Sequence, residues 1–421
     1  MRKIFFALLI LLPVLNFGQN INGRISSALY TFERYDSENS SEKYIRTFEN
    51  IGLNFNIGNF SLITRTNLEA NIGNSLDNDP RVRFYNLYFE ARKVFDIASV
   101  KIGRQSNFNN VAGGLFDGID MKLEKLDFTL SGFFGGNVPA YQKLEFTDDL
   151  KNDYILGGKI ETGIIQNTRF ALSYINKNFK AVDYTALRLN SDLDPVQILI
   201  QQKSNQYKFL SGEASYFLDK VCNIYARYDY DINFEATSKF EISGRYEQIE
   251  GLGIDIYYNY REPLIRYNSI FSVFDYGNTY EIEGGLDYKF FDGFTLLGKF
   301  AYVKYQDDNS ERFTAGVSTS YGSFIYRKNL GYSGELDAIS LFAGHPLFGG
   351  FITPSAGIAY TSYKLSEDDE KNNLTSVIAG FNLRPWKVFS LDLQGQYMDN
   401  KIYKNDFRLL LKINYWFNTN L

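Results

Sequence analysis

The side chains of this chain that could do chemistry are charged and recur two residues apart. Arg46, Arg65, Arg92, Lys101, Arg169, Arg227, Arg245, Arg261, Arg312 and Arg408 each fall on the polar parity of an alternating stretch, and Glu69, Glu90, Asp120, Asp229, Glu241 and Asp255 share that parity. A guanidinium holds a carboxylate in a two-pronged fork and also donates to hydroxyls, so a row of them could bind acids or sugars. Rows of both signs in comparable number would lay a transverse field across an aqueous passage without a strong preference for anions or cations. These residues are therefore the candidate lining of a water-filled interior.

Bond-making chemistry has less to work with. The single histidine, His345, cannot build a multi-histidine metal site, and it stands in a predicted short turn with Pro346 and Gly349. The single cysteine, Cys222, excludes an internal disulfide. Acid pairs such as Asp148-Asp149 do not follow a calcium-loop pattern, and no glycine-rich phosphate loop precedes a helix. Neither an enzyme nor a metal or cofactor site is expected.

The elements that must carry such charges are strands. From Asn405 to Phe417, Phe407, Leu409, Leu411, Ile413, Tyr415 and Phe417 alternate with Asp406, Arg408, Lys412 and Asn414. One apolar and one charged face require two solvents, and a closed transmembrane antiparallel β-barrel supplies them as lipid outside and water inside. The same alternation runs from Asn22 onward without a linker, giving one all-β domain over 19–421 with about 18 to 22 strands. Short turns, for example at Gly58-Asn59, Phe95-Asp96 and Phe291 to Gly293, alternate with longer connections such as Glu33 to Lys43, Asn137 to Asn152 and Asn178 to Asn205. That asymmetry predicts short periplasmic turns and longer extracellular loops. Tyr and Phe number 32 and 37, as interfacial girdles would need.

Residues 1–18 carry Arg2 and Lys3, an apolar run from Ile4 to Leu15 and a small-residue site near Gly18, which predicts a cleaved signal peptide and an exported protein. The net charge of −5 gives no reason to expect nucleic acid.

One hairpin permits a register to be stated. Folding about a centre between Asn110 and Val111 sets Ile102 against Ile119, Val100 against Met121 and Ala98 against Leu123, with Lys101 meeting Asp120 on the other face. Gly103-Arg104-Gln105 and Asp117-Gly118 within it resemble the Gly-Arg-Gln and Asp-Gly strands of Gram-negative outer-membrane porins, including the alginate-export-like and related sugar or acid porins. The match covers one hairpin; the barrel pattern covers the chain. In this register Arg104 opposes Asp117 on the lipid parity, which calls for a bulge near Gly103 or Gly114 that turns the pair inward, or for a place at the headgroup rim. The terminal strand resembles the aromatic-ended signal read by the barrel-assembly machinery, although Asn418 to Leu421 follow Phe417. The resemblance also implies that one long connection, Asn178 to Asn205, folds into the lumen; its residues fit a surface flap equally well.

The sequence thus predicts an outer-membrane porin-like channel for small hydrophilic solutes, in contact with lipid and lipopolysaccharide and possible as a homotrimer. Two alternatives stand beside it: a dedicated transporter of acidic or sugar oligomers, and a non-conducting adhesion or secretion-associated scaffold.

Overall fold

A computed structural model describes residues 19–420 apart from 38–39, 74–78, 108–111, 190–193, 203–204, 264–276, 306–307, 332–333, 365–369 and 402–404. The candidate signal segment, 1–18, lies outside the described residues. The first nine strands are β1 (Gln19–Ser37), β2 (Ser40–Ile57), β3 (Phe60–Ile72), β4 (Arg81–Val94), β5 (Ala98–Asn107), β6 (Gly114–Lys125), β7 (Phe128–Asn137), β8 (Tyr154–Thr162) and β9 (Thr168–Phe179). A separate hairpin follows, β10 (Val182–Leu189) and β11 (Pro195–Gln202). Next come β12 (Asn205–Leu218), β13 (Cys222–Asp231), β14 (Ala236–Tyr246), β15 (Leu252–Arg261), β16 (Thr279–Phe291), β17 (Phe294–Tyr305) and β18 (Asp308–Thr319). The last are β19 (Gly322–Gly331), β20 (Leu336–Gly344), β21 (Ile352–Tyr363), β22 (Asn372–Trp386), β23 (Phe389–Asp399) and β24 (Asp406–Asn420).

Each barrel strand pairs antiparallel with the next, β9 pairs with β12, and β24 returns to β1 from Asn20↔Asn420 to Tyr30↔Leu410. The result is a closed ring of 22 strands, at the upper end of the expected range. Closure satisfies every edge, which a sheet in lipid must do because hydrocarbon offers no replacement hydrogen bonds. The seam carries its own glue: the Asn20 amide donates to Asn418 (2.6 Å) and Asn420 (2.8 Å), and Arg24 donates to Asn414 (2.6 Å) and lies over Trp416. The residues after Phe417 are therefore part of the strand.

The alternation lands as two faces. On β24 Phe407, Ile413 and Tyr415 are exposed, whereas Asp406 and Asn414 are buried. The polar face is the concave one, because its ion pairs reach strands that are not neighbours. Lys159 on β8 meets Glu213 on β12 (2.9 Å), Arg245 on β14 meets Asp287 on β16 (2.7 Å), and Arg312 on β18 meets Glu283 on β16 (2.7 Å). Next-but-one strands stand about 9–10 Å apart, a gap that side chains close only where they converge. Exposed aromatics crowd the short-turn rim, among them Phe60, Phe95, Phe291, Tyr321, Phe348 and Trp386.

The register of β5 and β6 is the one the sequence predicts, from Ala98↔Leu123 to Arg104↔Asp117. Two connections differ. Glu33 to Lys43 is largely strand, since β1 and β2 stay paired out to Ser37↔Ser40. Asn178 to Asn205 is chiefly the β10–β11 hairpin, whose Leu187 and Leu199 are exposed.

Candidate lumenal constriction and charged wall

The connection between β7 and β8 folds inward. Between β7 and β8 the chain makes a short 3₁₀ turn at Ala140–Gln142 and lies on the polar face of β4, β5 and β6. Tyr141 and Gln142 hold positive φ values of 59° and 50°, a region that L residues rarely enter, so surrounding contacts must fix them.

Those contacts converge on Arg104, whose side chain is 1% exposed. Its guanidinium grips Asp117 through two bonds (2.8 and 2.7 Å) and donates to the carbonyls of Gln142 (2.9 Å), Lys143 (2.6 Å) and Glu145 (3.2 Å). Beside it Tyr141 is stacked by both Arg81 and Arg83, and Arg83 also donates to the Gln142 side chain (3.3 Å). A planar guanidinium with five donors suits this task better than an ammonium, because it serves a carboxylate and several carbonyls at once.

The parity conflict at Arg104 is settled by glycine. Gly103, Gly118 and Gly135 are side by side on β5, β6 and β7, and a Cβ at any of them would collide with a neighbouring strand's carbonyl oxygen. Gly103 takes φ +128°, open to glycine at little cost. The pleat is broken there without a change of register, and Arg104 and Asp117 turn from the lipid parity toward the interior; Gln105 is buried alongside.

Around this anchor the inner wall is apolar. Phe116, Phe133, Ile155, Ile175 and Phe209 form a buried cluster across β6, β7, β8, β9 and β12, with Ala112 and Tyr207 against it. Thr147 and Leu150 of the inward segment lie against Gly136 of β7. Sequence alternation does not flag this patch, because it belongs to water-facing parity yet is covered by the chain itself.

Elsewhere the candidate lining residues occupy the polar face and fall into networks. Arg46 pairs with Glu69 (3.0 Å), which Arg83 also reaches (3.3 Å). Arg92 donates to Ser61 and lies near Glu90, and Lys101 stands opposite Asp120 with its ammonium over Tyr88. Arg227 binds Asp229 (3.0 Å) and approaches Glu213, while Lys239 contacts Glu241. Arg245 gathers Glu247, Asp255 and Asp287, and Arg312 takes Glu281 and Glu283. Arg408 pairs with Asp406 and donates to Tyr30. Arg65, Arg169 and Arg261 have no ion pair to any described residue.

Arg81 and Arg83 escape the alternation for a definite reason. Arg65 pairs with Asn86 but Thr66 with Phe84, so Tyr85 is an extra residue on β4. This bulge moves the inward parity from Glu90 to Arg83. In a ring of 22, each strand stands across from the one eleven places on, so the arginine-rich β2–β5 sector looks across at β15–β18 with Asp255, Glu281 and Glu283. His345 lies between β20 and β21 at the short-turn rim, its ring 4.8 Å from Tyr321.

No family model matches the chain, and no curated protein matches it. Among solved structures it is similar to Acinetobacter baumannii OccAB4, at 12% identity over 95% of this chain and 98% of that one, with a TM-score of 0.44. It is similar to a BenF-like porin from Pseudomonas fluorescens at 9% identity, covering 96% of this chain and 99% of that one (TM-score 0.43). The translocation pore of the P pilus usher PapC matches at 7% identity over 95% and 99% of the two chains (TM-score 0.45). At these values function has to be argued from this chain's own geometry.

Proposed function

We propose that this barrel is a porin-like channel of the bacterial outer membrane that lets small hydrophilic solutes diffuse through a passage narrowed from one side. The observation that carries the reading is the inner wall: a polar face with ion pairs bridging next-but-one strands, over which, among the described residues, the β7–β8 segment covers part of the β4–β12 sector. Rings of about 16 to 18 strands already enclose water, and this one is larger. Charges on that face are hydrated or paired, whereas one arginine at mid-depth on the outer face would cost about 2–4 kcal/mol.

In this reading the short turns face the periplasm, the long connections face outward, and residues 1–18 direct export before removal. Lipid and lipopolysaccharide surround the apolar belt. The deciding measurement is single-channel conductance in planar bilayers. Stepwise ion currents are expected, and a folded barrel that gives no current above background would refute the channel and leave the scaffold alternative.

A further inference from the structure

Near the long-connection rim, between β13 and β17, the inner wall opens into a recess of about 530 Å³, a size that suits a small organic ligand. Asp229, Tyr257, Asn259, Arg261, Thr279 and Tyr305 line it. Two of these groups lack partners in complementary ways. Arg261 is exposed and, unlike those of Arg227, Arg245 and Arg312, its guanidinium makes no ion pair or hydrogen bond to any described residue. Asn259 is only 6% exposed, yet its Oδ1 meets no donor. A buried amide oxygen that no protein donor serves is open to a donor from the recess, and a ligand hydroxyl can supply one.

The neighbouring carboxylates are already engaged, Glu262 of the lining by the Tyr260 hydroxyl. Arg227 holds Asp229 (3.0 Å), Arg312 holds Glu281 (2.8 Å) and Lys239 contacts Glu241. The recess thus presents one spare cation and one spare acceptor on the same strand, two residues apart and so on the same face. Thr279 stands opposite Arg261 and can donate or accept, and the rings of Tyr257 and Tyr305 provide apolar surface for carbon-bound hydrogens.

We propose that this recess binds a small hydroxylated carboxylate, with its carboxylate on Arg261 and a hydroxyl donating to Asn259 Oδ1. The proposal deepens the channel reading, since a passing solute would meet the recess, but occupancy can be measured without current. The full-length barrel in detergent is titrated by calorimetry with three probes: gluconate, which has both functions; hexanoate, which has only the carboxylate; and sorbitol, which has only hydroxyls.

Gluconate is expected to saturate one site, hexanoate to bind more weakly and sorbitol not to bind. Arg261→Gln should weaken gluconate by at least about tenfold, as expected for loss of a charge-assisted bond. Asn259→Ala should keep carboxylate binding but erase the preference for gluconate over hexanoate. Arg261 is exposed, so its variant keeps the fold, which heat-modifiable migration on gels verifies. Absence of saturable gluconate binding, equal binding of gluconate and hexanoate to the unmodified protein, or unchanged gluconate affinity in Arg261→Gln would each overturn the proposal. Currents from the same preparation separate the two readings: a conducting barrel without a gluconate site removes only the recess assignment, and a gluconate site in a non-conducting barrel removes only the channel.

Discussion

Replacing Arg104 by Met should loosen the inward β7–β8 segment while leaving the barrel closed. The substitution keeps the length of the stem but leaves the Asp117 carboxylate, 3% exposed, without its counter-ion, and three backbone carbonyls without a donor. Removing one partner of a buried pair costs about 3–5 kcal/mol, because a charge is stranded out of water. That penalty disappears if the segment swings away and water reaches Asp117.

Opposing the release are the two arginines stacked on Tyr141, worth about 0.5–1 kcal/mol each at accessible sites, and the Arg83–Gln142 bond, about 1 kcal/mol. Contacts of Thr147 and Leu150 with Gly136 add a similar increment. The holds that survive sum to roughly 3 kcal/mol, so docked and released states come within about 1–2 kcal/mol of each other and both are populated. Single-channel recording should show flicker between the wild-type level and a larger one. Arg104→Lys, which keeps the charge but cannot serve four acceptors, should flicker less. A correctly folded Arg104→Met barrel with steady wild-type conductance would refute the assignment of Arg104 as the anchor.

Arg65→Ala and Arg227→Ala should each move the zero-current potential in a salt gradient toward cation selectivity, the first by removing an unpaired cation and the second by baring Asp229 and Glu213; unchanged potentials in both would remove these residues from the lining. Gly103→Ala, forced to φ +128° against the Leu87 carbonyl, should destabilise the barrel by about 1–3 kcal/mol or more in urea unfolding from lipid vesicles, and wild-type stability would mean that the pleat is not broken there. In the same assay Leu411→Arg, on the outer parity of β24, should cost about 2–4 kcal/mol and Lys412→Leu much less; the reverse order would invert the two faces. Spin labels at Leu409 and Leu411 should report acyl chains, and one at Arg408 should report water.

Period-two alternation carried most of the fold, because a strand between lipid and water has only two environments and its odd and even residues must choose between them. It gave the two faces of β24, though the strand runs on past Phe417 to Asn420, set the β5–β6 ladder to the residue and located most short turns, where strand ends are marked by Gly, Asn and Asp. What it could not carry were departures from the period itself. One extra residue at Tyr85 reverses the parity of everything before it on β4, hiding Arg81 and Arg83 on what looks like the lipid side. At Gly103 the register is kept and only the pleat breaks, a change written in a backbone angle rather than in spacing. Ile198, Leu199 and Ile200 read as an apolar patch in a loop because Leu199 interrupts the alternation on β11, in the hairpin that stands outside the barrel's two-solvent rule.

These departures are related. Strict alternation would leave Arg81, Arg83, Arg104 and Asp117 on the lipid side, away from the connection they hold. The bulge on β4 brings Arg81 and Arg83 inward, the glycine row on β5 to β7 does the same for Arg104 and Asp117, and both deliver donors to one stretch, Tyr141 to Glu145. Phe116, Phe133 and Ile155 supply the dry floor beneath. The cost of the local irregularities is offset by anchoring a constriction that a regular barrel could not hold. On the opposite wall, from β13 to β18, Arg227, Arg245 and Arg312 are paired with carboxylates of the wall itself rather than with the segment. In the proposed channel, passage size would be set by the irregular sector and charge preference by the regular one.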